Sequence, residues 1–310
     1  MEKGFDSAAA KAFLSKEFGQ LTATNRRAAE ARSISASRRD VGRTPLVVVC
    51  MDERNPLTED GLGLDPTLVV RFASGGGKVA AGDFLRLHAP LLADGGRKAV
   101  IYLCTHWVQG EPENGCAAFQ CDEPAQTQYF TALRQALAAE LPEAWIHALS
   151  YDTATGALYG IELDLRDETF VALVGQGSRP LAMPREEHAH AGFGIYVGDF
   201  YRAWISGYNR YFHISAGAPS LRDDLDIALS VMLHHSTVDL SDKPIVLLLD
   251  RPTENADAAT IERHRQAKDA VMEFLRSPEV APLVESGRLR LVELETDPTT
   301  WSGRILTVLN

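Results

Sequence analysis

Pro45–Arg54 reads PLVVVCMDER. A nearly continuous β-branched run stops at Cys50, and Asp52 and Arg54 follow at alternate positions. A short run that is apolar at almost every position is what a strand covered on both faces requires. Residues 67–74 (TLVVRFAS), 98–106 (KAVIYLCTH) and 144–151 (AWIHALSY) have the same character. Helical patterns lie between some of these runs, at 82–96 (GDFLRLHAPLLADGG) and 125–141 (AQTQYFTALRQALAAEL). Strands alternating with helices define a largely parallel α/β sheet. Pro90 interrupts the first helix, because it lacks an N–H and clashes with the preceding turn.

The second half repeats the order. IYVGD and RYFHISA are strand patterns, LRDDLDIALSVMLHH is helical, KPIVLLLD is a strand, a helix runs over about 256–275, and RLRLVELE closes the series. Asp199 falls on Asp52 at an offset of 147, HISAG on RFASG at 142, and KPIVLLLD on KAVIYLCT at 145. Three matches in order imply an internal duplication. The chemistry is not repeated: Cys50 becomes Val197, Arg54 becomes Tyr201 and His106 becomes Arg251, and only the aspartate survives. The expected architecture is a helical arm over 1–43, a metal-binding half over 44–165 and a degenerate, metal-free half over 166–310.

Composition narrows the function. The 310 residues carry a formal charge of -11 and are 45% hydrophobic, enough for a sizeable core and wrong in sign for nucleic acid. The basic stretch Arg26–Arg43 reads as a solvated helical arm. The chain shows no leader-like apolar region and no apolar run approaching ~18 residues, so neither export nor a membrane span is expected, and the cytoplasm is the expected location. Cys50, Cys104, Cys116 and Cys121 are the only cysteines, too few for a stapled secreted protein, so metal binding or catalysis is the better use for them.

Cys50 ends the first strand at its carboxyl edge, where open parallel sheets gather their ligands. His106 ends the third strand, and Cys116 follows after a polar loop, at what reads as a helix start. Two thiolates and one imidazole with an open fourth position form the pattern of a catalytic zinc site. Cys121, half a helical turn from Cys116, is the alternative third ligand, and Cys104 shares a strand face with His106. A strand-end cysteine by itself is more often packing; here its companions favour a ligand. CMDER lacks the phosphate-cradling loop of a cysteine phosphatase. His188 and His190 read as linker, His234 and His235 as a helix end, and Tyr201 and Trp204 as packing.

In these motifs the chain resembles the β-class carbonic anhydrases. C-x-D-x-R at Cys50, Asp52 and Arg54, with a later His and Cys, is similar to that family's signature. FASGGG resembles its small-residue loop beside the metal, and SYDTATGAL its closing strand and turn. The His106-x9-Cys116 spacing departs from the usual H-x-x-C and is closer to the cadmium-tolerant ζ class. Tandem halves with one site lost are similar to the carboxysomal shell enzymes. The resemblance implies one Zn2+ per chain, with Cd2+ or Co2+ as substitutes, held by Cys50, His106 and Cys116. It also implies an Asp52–Arg54 dyad, and an intrachain pseudo-dimer, open to further dimerisation, in which the degenerate half takes the partner's role.

The chemistry is coherent on its own terms. Metal binding brings a water's pKa from ~16 into the range ~7 to 9 and supplies hydroxide near neutral pH. Asp52 would orient that nucleophile and Arg54 would keep Asp52 ionised. Backbone donors over Ser74, Gly75 and Gly76 would line an apolar pocket for CO2. The expected function is reversible hydration of carbon dioxide to bicarbonate and a proton. The alternatives are hydrolysis of carbonyl sulfide or carbon disulfide at the same site, and a catalytically silent metal-binding scaffold.

Overall fold

The structure, a computed structural model, describes residues 43–161 except 53, 55–57, 63, 65–67, 109 and 155–157; residues 194–200, 211–234 and 243–309; and scattered positions between 8 and 30. Ala8, Lys11, Lys16 and Glu30 are helical. Ala12, Leu14, Ser15 and Gly19 are helical as well, and Arg43 is described; the other residues of the expected arm lie outside the described residues, as do His188, His190, Tyr201, Trp204 and His235. The chain divides into two compact units, residues 36–188 and residues 189–310 with 1–35.

In the first unit the strands are β1 (Thr44–Cys50), β2 (Val70–Ser74), β3 (Ala99–Trp107), β4 (Trp145–Asp152) and β5 (Leu158–Gly160). They form one sheet in the order β2-β1-β3-β4-β5, parallel except for β5, which returns antiparallel to β4. The helices are α1 (Thr58–Gly61), α2 (Ala81–Leu87), α3 (Ala89–Leu92) and α4 (Glu123–Glu140). The break between α2 and α3 falls at His88, and Pro90 sits in the first turn of α3, where a missing N–H costs nothing.

Successive residues of β1 point to opposite faces, and both faces are dry. Leu46 and Val48 join Phe72, Ile101, Leu103 and the α4 side chains Phe130, Leu133 and Leu137 in one core cluster. Val47 and Val49 join Ala73, Tyr102, Cys104, Leu149 and Tyr151 in the other. This double burial accounts for the unbroken apolar run at the start of PLVVVC. Thr44 and Pro45, at the strand's start, remain partly exposed.

The second unit repeats the plan. Its strands are β6 (Gly194–Val197), β7 (Tyr211–Ile214), β8 (Ile245–Pro252), β9 (Leu289–Thr296) and β10 (Gly303–Leu309), and its helices are α5 (Leu221–His234), α6 (Ala258–Leu275) and α7 (Ala281–Glu285). The sheet order is β10-β9-β8-β6-β7, parallel except for β10 against β9. With β6 to β10 laid on β1 to β5, the two orders are the same. The fold is therefore α/β, with duplicated units, each a mainly parallel sheet flanked by helices. RLRLVELE does not close the series as its position in the sequence suggests: GRILTVL adds β10, with an irregularity between Ile305 and Thr307 that breaks its period-two pattern. No described helix is long and apolar enough to cross a membrane.

One polar feature is buried in the first core. Arg71 on β2 donates through Nη1 to both carboxylate oxygens of Glu59 at 2.7 Å, and the two side chains are only 3% and 0% exposed. A buried pair is costly to break from one side, because the remaining charge has no water to turn to. Glu59→Leu alone is expected to cost about 3–5 kcal/mol in urea denaturation, and adding Arg71→Met to recover most of it. An equal loss in the single and double variants would show that the pair's charges are not what matters.

Candidate metal centre

Cys50 is the last residue of β1 and His106 the penultimate residue of β3, so the parallel ladder carries both to the carboxyl edge of the sheet. Cys116 arrives from the loop after β3. It precedes a 3-10 turn, Ala117–Phe119, rather than opening an α-helix as expected from sequence. The helix begins only at Glu123, where the Asp122 side chain accepts from the Ala125 N–H.

The three side chains converge. Cys50, His106 and Cys116 are 4%, 1% and 3% exposed, and their ligand atoms all lie within 4.8 Å of one another. The two sulfurs are 3.8 Å apart. Both ring nitrogens of His106 are buried, and among the described residues neither meets a hydrogen-bond partner of good geometry. Burial pushes the Cys50 thiol well above its ordinary value, neighbouring Cys116 adds to the rise, and His106 opposes it. Such a group is poorly served by itself, since a buried imidazole ordinarily hydrogen-bonds.

A dication answers every one of these features. It deprotonates thiols outright and takes an imidazole nitrogen. Two sulfurs bonded to one ion at about 2.3 Å in tetrahedral geometry stand about 3.8 Å apart. The donor set fits zinc, and cadmium or cobalt by the same ligand chemistry. Among the described residues no fourth protein ligand joins the group. Cys121 donates its thiol to the Glu113 carbonyl at 3.1 Å, and Cys104 is packed in the core.

Asp52 and Arg54 lie beside the group. Arg54 donates from its backbone N at 2.9 Å and from Nε at 3.0 Å to Asp52 Oδ1, and from Nη2 at 2.7 Å to Oδ2. Both side chains are under one-tenth exposed. Arg54 also donates through Nη1 to the Asn114 carbonyl at 2.9 Å and through Nη2 to that of Gly115 at 3.5 Å, which ties the dyad to the loop that carries Cys116.

The glycine loop serves the sulfur. The Gly76 N–H donates to Cys50 Sγ at 3.3 Å, and Ser74 Oγ donates to the Lys78 carbonyl at 2.9 Å. The backbone donors of Ser74, Gly75 and Gly76 were expected to line a CO2 pocket; of these, the Gly76 N–H is the one that bonds the Cys50 sulfur. Gly76 and Gly77 have φ of 67° and 69°. A Cβ at Gly76 would come within 2.6 Å of the Phe119 ring, and one at Gly77 within 3.1 Å of the Val49 backbone. Lys78 closes the contact by donating to the Ala118 carbonyl at 2.6 Å, its Nζ lying 4.3 Å from the Phe119 ring centre.

The second unit has a different occupant at the corresponding point. β1 pairs with β3 at a sequence separation of 55, and β6 with β8 at 52. With Cys50 set on Val197, His106 falls on Asp250 and not on Arg251, where the sequence offset places it. Asp250 is buried and accepts from the Tyr196 hydroxyl at 2.9 Å, the Phe200 N–H at 3.1 Å, the Asp199 N–H at 3.3 Å and the Thr296 hydroxyl. Asp199, the counterpart of Asp52, accepts from the Ala216 N–H at 3.2 Å and from Arg263 Nε at 3.3 Å. Arg263 comes from α6, so the partner cation here is distant in sequence.

Sequence reasoning passed over Gln126, on the buried face of α4 with Phe130, Leu133 and Leu137. A glutamine in line with an apolar stripe was the available signal. It lines a cavity of about 180 Å³ together with His106 and Cys116.

No family model matches the chain, and no curated protein matches it. Solved structures similar to it include a tetrameric β-carbonic anhydrase of the filamentous ascomycete Sordaria macrospora, 16% identical over 40% of this chain and 83% of that one, with a TM-score of 0.30. An apo carbon disulfide hydrolase is 19% identical over 51% of this chain and 95% of that one, also with a TM-score of 0.30. A point mutant of the β-carbonic anhydrase CafD of the filamentous fungus Aspergillus fumigatus is 13% identical over 87% of this chain and 92% of that one, with a TM-score of 0.19. At these values the reading of the site rests on the geometry of its own side chains.

The Asp199 network yields a pH test. Burial alone would raise its carboxyl, but His264, Arg263, His213 and the Ala216 N–H outweigh burial and hold it below the ordinary 3.8. A depressed folded value stabilises above the unfolded value and is lost as pH falls through the folded one. Asp199→Asn is expected to lower stability by about 1–3 kcal/mol at neutral pH. The gap to wild type should narrow once pH falls below 3.8. A gap that stayed constant in urea denaturation down to acid pH would contradict the assignment.

Proposed function

We propose that the chain binds one zinc ion through Cys50, His106 and Cys116 and catalyses the reversible hydration of carbon dioxide to bicarbonate and a proton. The observation that carries this reading is the buried pair of sulfurs 3.8 Å apart beside a buried imidazole, next to a carboxylate that a guanidinium holds on two edges. A purely structural metal site closes its fourth position and has no use for such a dyad.

A dication held there lowers the pKa of water into the neutral range and so supplies hydroxide. The chain's own residues do the rest. Arg54 keeps Asp52 ionised, since an adjacent opposite charge favours the carboxylate. Of the carboxylate's about four acceptor sites Arg54 takes two on Oδ1 and one on Oδ2, so it is through Oδ2 that Asp52 would accept a hydrogen bond from the reacting water and fix its orientation towards carbon. The Gly76 N–H steadies negative charge on Cys50 Sγ. The Arg54 bonds to Asn114 and Gly115 hold the Cys116 loop in place while it does so.

Stopped-flow CO2 hydration with a pH indicator, paired with metal analysis, tests this. Zinc-loaded wild type is expected to carry one zinc per chain and to be active. Cys50→Ala should lose both metal and activity. Asp52→Asn should keep the metal and lose about a hundredfold in kcat. Wild type that carries its zinc and does not hydrate CO2 would sink the reading, and release of sulfide from carbonyl sulfide or carbon disulfide would then be the assay to run.

A further inference from the structure

The cavity of about 180 Å³ beneath the loop that joins β3 to α4 is lined by the metal-facing residues His106 and Cys116, by apolar Trp107, Val108 and Pro112, and by Gln126. Gln126 is 1% exposed, and its Nε2 has no hydrogen-bond partner. A buried amide donor left unpaired is destabilising, so a fold that keeps one beside a cavity gains from a guest that accepts its hydrogen bond. α4 holds the residue firmly. The Gln126 N–H is bonded to the Asp122 carbonyl at 3.1 Å, and Phe130, one turn on, is fully buried.

The chemistry of the wall selects the guest. A largely apolar wall that includes a neutral amide suits a small molecule that is itself largely apolar and carries an acceptor oxygen. Glu123 also lines the cavity but is exposed, so its charge faces water and is screened. His106 and Cys116 share this wall and Cys50 and Asp52 do not, so a guest in the cavity would approach the metal ligands from the side of those two.

We propose that this cavity is the chamber in which the reacting molecule is held, and that Gln126 Nε2 donates a hydrogen bond to an oxygen of carbon dioxide and of product bicarbonate. The assignment rests on the function proposed above and adds to it a binding residue outside the metal ligands and the Asp52–Arg54 dyad. The direction of the bond also sets a preference. An amide N–H gives a stronger bond to oxygen than to sulfur, so the chamber favours carbon dioxide over carbon disulfide.

The test uses the full-length protein loaded with cobalt, with bicarbonate as the probe and the visible spectrum as the readout, alongside CO2 hydration by the zinc form. Gln126→Met keeps the length and removes the donor. Gln126→Glu keeps the shape and replaces the amide with a carboxyl that repels the anion. Both should retain one metal per chain and the wild-type cobalt spectrum without bicarbonate. In Gln126→Met the bicarbonate Kd should rise about tenfold, as for the loss of one hydrogen bond, with KM for CO2 rising more than kcat falls. In Gln126→Glu the rise should be larger. Metal-loaded variants with the wild-type bicarbonate Kd would overturn the proposal even if wild type hydrates CO2. Wild type inactive on CO2 yet losing bicarbonate affinity in both variants would overturn the function and leave the chamber standing.

Discussion

The inner position of β1, between β2 and β3, is the constraint from which the rest follows. It is the one strand of its sheet paired in parallel on both sides with strands that end at the site, with Cys50 opposite Ser74 on β2 and Val48 opposite Leu103 on β3. Parallel pairing sends all three chains out at the same edge. It therefore delivers a thiol, a glycine loop and an imidazole to one place without any long-range coincidence of loops. The same pairing buries both faces of β1, so the polar groups that leave its end emerge from a dry sheet and must find partners immediately.

The two halves meet that requirement differently. In the first, two sulfurs and a buried imidazole face one another with only the Gly76 N–H on the Cys50 sulfur and the contact between the sulfurs to serve them, and a metal ion is the simplest thing that satisfies all three. In the second, the corresponding strand end carries Asp250, which is satisfied by the Tyr196 and Thr296 hydroxyls and by the backbone N–H groups of Asp199 and Phe200. A carboxylate wrapped in this way needs no ion. Gly198 belongs to the same arrangement, because a Cβ there would meet Asp250 Cβ at 2.2 Å. The two halves thus differ by more than residue type: the point that corresponds to His106 is closed in the second half by a hydrogen-bond network around Asp250.

What could be read from the sequence tracks how local each signal is. Cys50, Asp52 and Arg54 declare themselves within five residues, and His106 follows from the strand that carries it, so these were legible. The Gly76 bond to Cys50 sulfur was not, because a backbone donor leaves no trace in residue type. Asp250 was misplaced by one residue, since the runs KAVIYLCT and KPIVLLLD align equally well by hydrophobicity at neighbouring offsets and only the ladder register separates them. β10 was missed because its irregularity after Ile305 interrupts the alternation. Gln126 was hidden within a helix whose other buried residues are ordinary core. The Glu59–Arg71 pair joins residues 12 apart whose contact depends on the path of an intervening loop.

The long spacing between His106 and Cys116 finds its explanation in Arg54. Nine residues separate the two. A loop of that length has more conformations to give up than a two-residue link, and the third ligand would be poorly placed if nothing else fixed it. Three contacts do. Arg54 bonds the carbonyls of Asn114 and Gly115 immediately before Cys116. Lys78 bonds the carbonyl of Ala118, two residues after it. Phe119 fills the space over Gly76 that any side chain there would occupy. Arg54 is therefore shared between two tasks, ionising Asp52 and seating the ligand loop, and the guanidinium's several donors in one plane are what allow both at once. A lysine, with a single point charge, could neutralise Asp52 but could not hold its two oxygens and the loop carbonyls in the same geometry. The dyad and the ligand set are then one mechanical unit, and the extended loop is free to form the roof of the cavity that Gln126 enters from below.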